Sequence, residues 1–216
     1  MNKKISLEKV LQLPLIVASV VLSFYFYHIF PARVPLHWGV DGEVNGWGPS
    51  LIAAFLLPVI LIAIYFLFDL LPKIDPKKAN YPDFKKAYAV FKTAIMAVLF
   101  AVYIISSLNA LGIIISVSFW IPICIGVLFI FLGSYFGTLR SNYFIGIRTP
   151  WTLSSESVWN KTHQVGGKLF IVGGIALMGM GFMPTVWRMP LFIAIIILVA
   201  IVPMVYSYIL YRKEKA

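Results

Sequence analysis

Six long apolar runs alternate with short polar connectors along this chain. They cover residues 10–30, 51–71, 88–111, 119–139, 168–183 and 190–211. A bilayer core of roughly 30 Å needs about 20 apolar residues per helix, so the pattern predicts six transmembrane helices in an all-α polytopic membrane fold. The fifth run is the shortest and is rich in glycine. The first run is too long for the apolar part of a signal peptide, and no small-x-small cleavage site follows it, so it reads as a retained span. The runs divide into an N-terminal membrane half, 1–111, and a C-terminal half, 112–216. No residue-level echo links the halves, so an inverted repeat is not predicted.

The connectors carry the rest of the pattern. Residues 31–49 are polar and turn-rich: Asp41-Gly42 and Asn45-Gly46 are turn signals, and Val40 and Val44 flank the first, which predicts a small hairpin over the membrane surface. The stretch 184–189 reads as another turn. Residues 141–163 form the longest stretch that is neither a span nor a simple charged link. Tyr143, Phe144, Trp151 and Trp159 supply apolar surface there, and Arg148, Glu156, Lys161 and His163 supply polar handles. Pro150 cannot continue a helix and biases Thr149 toward extended geometry. Ser154 or Ser155 can then cap a new helix, with Glu156 in its first turn. The expectation is an extended arm followed by a short helix, with Trp159 and His163 sharing one face of it at the headgroup level.

Composition removes several classes of function. With 61% hydrophobic and 12% charged residues, the chain is far from a soluble domain. The single cysteine, Cys124, lies inside a span, which excludes an intrachain disulfide and any C-x-x-C zinc or redox site. A net charge of +10 suggests nucleic acid at first. Yet sixteen of the eighteen lysines and arginines flank spans on one side, at the N-terminus (Lys3, Lys4, Lys9), in 72–92, in 140–168 and in the tail. Only Arg33 and Arg188 fall on the other side. This asymmetry predicts cytoplasmic termini and a cytoplasmic 141–163 segment, with 31–49 outside. Membrane lipid is the expected partner of these charges, with no direct nucleic-acid contact.

Few side chains suggest chemistry. Asp69 is the acid well inside a span, and it can pair with Lys73 at i,i+4 or with Lys92 on the next helix. Intramembrane acids also serve ion paths, which leaves a small ion- or proton-coupled transporter or channel using Asp69 and Lys92 as the alternative reading. His37, Asp41 and Glu43 match no zinc spacing. The glycines of Gly133-x-x-x-Gly137 and of the fifth span predict close packing of helices four and five, and Gly166-Gly167 can also act as a hinge. Ser154, Ser155 and His163 sit in no nucleophile motif, and no H-E-x-x-H occurs. No catalytic residue, metal site or cofactor is expected, and the chain does not read as an enzyme.

The segment Phe144-Ile-Gly-Ile-Arg-Thr-Pro-Trp-Thr-Leu-Ser-Ser-Glu-Ser-Val-Trp-Asn-Lys-Thr-His163, followed by Gly166-Gly-Lys, resembles the signature of the SdpI family. These are immunity proteins against the sporulation-delaying-protein toxin, with their paralogues. Pro35-x-His-Trp, Asp41-Gly through Trp47-Gly, Leu71-Pro-Lys-Ile-Asp-Pro76 and Asn80-Tyr81 match the same family, so the likeness covers nearly the whole chain. The resemblance implies a six-span protein of the bacterial cell membrane that confers resistance to a secreted, membrane-active toxin peptide. It implies a second partner too, a soluble transcriptional repressor held at the membrane. On that footing the outer residues Arg33, His37, Trp38, Asp41 and Trp47 are candidates for toxin contact. The candidates for regulator contact are Asn142, Phe144, Gly146, Arg148, Thr149, Pro150, Trp151, Trp159 and His163.

Overall fold

The structure, a computed structural model, describes residues 7–215, with side chains from Leu11 onward. Lys3, Lys4 and the side chain of Lys9, three of the charges in the predicted asymmetry, lie outside the described residues. Helix α1 (Leu7–Ile29) leads into strands β1 (Arg33–Trp38) and β2 (Val44–Pro49). Helix α2 (Ser50–Ile74), a 3-10 segment (Lys78–Phe84), α3 (Lys85–Ala110) and α4 (Val117–Phe136) follow. Then come the short α5 (Pro150–Ser154), α6 (Glu156–Met180), α7 (Thr185–Ile196), a π-helical segment (Ile197–Ile201) and α8 (Val202–Lys215).

Five helical stretches are long and apolar enough to cross a membrane: α1, α2, the 3-10 segment with α3, α4, and α7 continued through the π segment into α8. Helix α6 is not one of them, although it has 25 residues, because Glu156, Lys161, His163, Gln164 and Lys168 make its first half polar. The short helix expected under a Ser154 or Ser155 cap and the apolar run from Lys168 prove to be one continuous helix, which begins at Glu156 under the Ser155 side chain. Gly166 and Gly167 lie buried within it and form no break. The predicted turn over 184–189 is also shorter than expected. Helix α7 resumes at Thr185, directly after Pro184, and it tolerates Pro190 inside it. Further on, Pro203 has no N–H for the Val199 carbonyl, and the π segment just before it absorbs the mismatch.

Helices α4 and α6 pack antiparallel through two glycine pairs. A Cβ on Gly133 would lie 2.6 Å from the Gly167 carbonyl oxygen, and one on Gly126 would lie 2.5 Å from that of Gly174. Without a hydrophobic drive between helices in lipid, such backbone contact is what holds them together. The expected helix pair is right, but the motif is not. Gly137 caps α4 from outside, and the working partner of Gly133 is Gly126, two turns earlier on the same face.

The bundle has two distinct ends. At one, Ser155 Oγ at the start of α6 donates to Glu214 Oε2 at the end of α8 (2.7 Å). At the other, Arg188 on α7 donates to the Val40 carbonyl at the hairpin tip (3.2 Å) and to the Gly181 carbonyl just after α6 (3.4 Å). Helix α6 thus runs the length of the bundle. Aromatic clusters fill both ends, with Phe68, Phe84, Phe91, Phe136 and Trp159 at the basic one. Phe26, Phe30 and Tyr103 pack with Val34 of β1 under the hairpin.

Candidate functional sites at the two ends

At the basic end, residues 139–163 fold into a knot locked to the α2–α3 connector. Its organiser is Asp75, 2% exposed, which in the sequence looks like part of a plain connector. One carboxylate oxygen accepts from the Lys77 backbone N–H (2.7 Å). The other accepts from the Tyr81 hydroxyl (2.9 Å) and the Tyr143 N–H (3.0 Å). Lys77 Nζ in turn donates to Ser141 Oγ (2.6 Å) and the Leu153 carbonyl (3.1 Å). Asn80 Nδ2 donates to the Ser141 carbonyl (2.7 Å). The one local signal for this role is Asp75-Pro76 at a helix end, since aspartate bonds its own chain two residues on and so starts turns.

Within the knot, Asn142 is fully buried and spends its whole amide on local backbone. It donates to the carbonyls of Arg140 and Ile145 and accepts from the N–H groups of Phe144 and Ile145. Gly146 adopts φ +109°, where a side chain would be strained and would meet the His163 ring. His163 Nε2 accepts from the Ile147 N–H (2.9 Å), which leaves the ring proton on Nδ1, facing the Trp159 carbonyl at 2.8 Å. That tautomer uses both nitrogens. Burial pushes the His163 pKa down to about 4, with the Trp159 carbonyl opposing in part. Trp159 stacks on His163 at 4.0 Å between ring centres and donates its indole N–H to the Leu139 carbonyl (2.8 Å). Thr149 and Thr152 form a reciprocal cap on α5, and Thr149 Oγ1 meets Ser207 Oγ on α8 at 3.0 Å.

This corrects the expectation of a headgroup-level helix. Trp159 and His163 do share a face, but that face points into the core, where aromatic area has more to bury against. Asn142, Gly146, Thr149, Trp159 and His163 hold the knot together and offer little to a partner, while Phe144 is half-buried. Arg148 and Pro150 are exposed and Trp151 partly so. Arg148 donates to the Tyr143 carbonyl (2.8 Å), and Trp151 packs on Tyr208 of α8.

At the other end, β1 and β2 pair antiparallel, with register shifts around His37. The turn closes through Gly39 and Glu43, as their backbone hydrogen bond shows (2.9 Å). Asn45-Gly46, expected as a second turn, lies instead in β2, where Gly46 pairs with His37. Its lack of a side chain suits close approach to the His37 Cβ. Arg33, His37, Asp41 and Trp47 are exposed. Trp38 is partly buried and donates to Asn109 Oδ1 (3.0 Å), which pins the hairpin to α3. His37 Nδ1 faces Asn45 Oδ1 at 2.5 Å, and Asp41 Oδ1 accepts from the Glu43 N–H (3.0 Å).

Of the two partners offered to Asp69, Lys92 takes it, at 2.6 Å. Lys92 Nζ also sits 3.8 Å from the centre of the Tyr65 ring. Among the described residues Lys73 makes no ion pair. Burial selects Lys92, whose side chain is only 6% exposed and needs a counter-charge that solvent cannot supply.

Residues 138–207, from the start of the knot through α7 into α8, match the SdpI/YfhL protein family. The likeness to that family lies in this C-terminal third of the chain. Residues 15–62 match a domain of unknown function (DUF1648), which covers α1 from Leu15 onward, the hairpin and half of α2. The chain is 24% identical over 212 residues to Immunity protein SdpI of Bacillus subtilis (strain 168), covering 95% of this chain and 97% of that protein. No solved structure matches it. The matched SdpI/YfhL segment ends at Ser207, the residue that ties α8 back to Thr149.

Proposed function

We propose that this membrane protein is an immunity protein, which protects the cell that carries it from a secreted, membrane-active toxin peptide. The observation that carries the reading is the likeness to Immunity protein SdpI along nearly the full length of both chains. In this reading the basic end is cytoplasmic, because lysine and arginine collect there. Helix α6 crosses the membrane as the fifth of six spans from about Lys168 onward, its polar first half standing in the cytoplasm with the knot. The toxin arrives from outside and meets the hairpin, where Arg33, His37, Asp41 and Trp47 are presented. Trp187 and Arg188 beside them extend that surface. The exposed part of the knot, Tyr143, Arg148 and Trp151, supports a second role as the contact for a soluble repressor, since aromatic residues and arginine dominate binding hot spots. Transport through Asp69 and Lys92 has less support, because the pair latches α2 to α3.

The test is expression in a toxin-sensitive bacterium. Cells carrying the protein are expected to keep growing at a toxin concentration that stops the empty-vector control. Equal killing by every related toxin peptide would sink the reading.

A further inference from the structure

A groove of about 440 Å³ lies between α1, α3 and α4. It has no part in the two sites above. Small residues of α3, among them Ala89, Ala94 and Ala97, form its floor. Leu11 and Phe131 form its sides and are 54% and 51% exposed. Thr93 on the floor already accepts from Gln12 Nε2 at 2.8 Å, so no polar group there needs a partner. Among the described residues that line it, the single charge is Lys86, at the basic end. From Lys86 to Val98, α3 rises about 18 Å. That is close to one leaflet, half of the roughly 30 Å hydrocarbon core.

An apolar channel one leaflet deep, with a cation at headgroup level, complements a single acyl chain beneath a phosphate. We infer that this groove holds one acyl chain of an anionic phospholipid from the leaflet at the basic end, with its phosphate against Lys86. The inference rests on that part of the proposed reading which sets the basic end at a membrane surface, and it is independent of toxin protection.

Native mass spectrometry of the purified protein with phosphatidylglycerol or phosphatidylcholine tests it. Wild type should retain one phosphatidylglycerol in preference to phosphatidylcholine. Lys86→Ala should lower that retention roughly fivefold, the attraction expected of one lysine at an anionic surface. Lys85→Ala, the same charge change beside the groove, should leave it unchanged. Ala94→Phe, which fills the channel, should abolish retention of either lipid. Equal retention of both lipids by wild type, or equal loss from Lys85→Ala and Lys86→Ala, would overturn the site. A wild-type dimer that Ala94→Phe makes monomeric would give the groove to a second copy and overturn the lipid. A killing assay reads toxin protection separately, so failure of either claim leaves the other standing.

Discussion

His163 shows how a residue that looks chemical in sequence becomes structural in the fold. Near two serines it suggests a base, but Ile147 and Trp159 occupy both ring nitrogens in the neutral form. Its pKa is about 4 in the folded chain against an ordinary 6.5. Between those values the unfolded chain binds a proton that the folded chain does not, so stability must fall as pH drops from about 6.5 toward 4 and then level off. The full loss is about 3 kcal/mol at most, at 1.36 kcal/mol per pKa unit. Thermal unfolding in detergent checks this: wild type should lose stability between pH 7 and 4.5, and His163→Gln should lose clearly less over the same range. Parallel curves would remove His163 as the titrating group. The Asp75 cradle is harder to read in sequence than His163, because its donors come from Tyr81 and from Tyr143, far along the chain, and only the fold brings them together.

Hydropathy marks most of the helices, since span length is set by the bilayer and is written locally in sequence. It does not join the short helix expected under the Ser154 or Ser155 cap to the apolar run that follows, because the first half of α6 is polar outside and its buried face, with Trp159, His163 and Gly166, packs on other elements. Glycine content points to the α4–α6 pair, while the choice of Gly126 with Gly174 and Gly133 with Gly167 depends on relative rotation that no single helix encodes. The packing gives a sharp expectation. Gly133→Ala puts a methyl against a backbone carbonyl, and overpacking of this kind costs about 1–3 kcal/mol. A methyl added at Gly179 on α6 would meet nothing within 4 Å, so Gly179→Ala should hold or raise stability through helix propensity. Denaturant unfolding of the two variants separates them, and equal effects would mean the helices do not touch where the glycines meet.

For the whole molecule, charge asymmetry separates a lysine-rich end from a sparsely charged one, and the proposed reading gives each end its own role. The hairpin is pinned by Trp38 and Arg188 and presents its polar and aromatic residues at the sparsely charged end. The knot is bound to α8 through Thr149 and Ser155 at the lysine-rich end. Immunity by contact at the hairpin requires that end to face outward. The polar half of α6 adds a second requirement, that knot and tail share one side, which holds only if α6 crosses. Both follow from one labelling experiment in a Cys124→Ser background, with Asn45→Cys, Arg148→Cys and Lys213→Cys introduced singly. An impermeant maleimide on intact cells should label Asn45→Cys alone, and all three should react after permeabilisation. Labelling of Arg148→Cys or Lys213→Cys in intact cells, or protection of Asn45→Cys, would contradict the account.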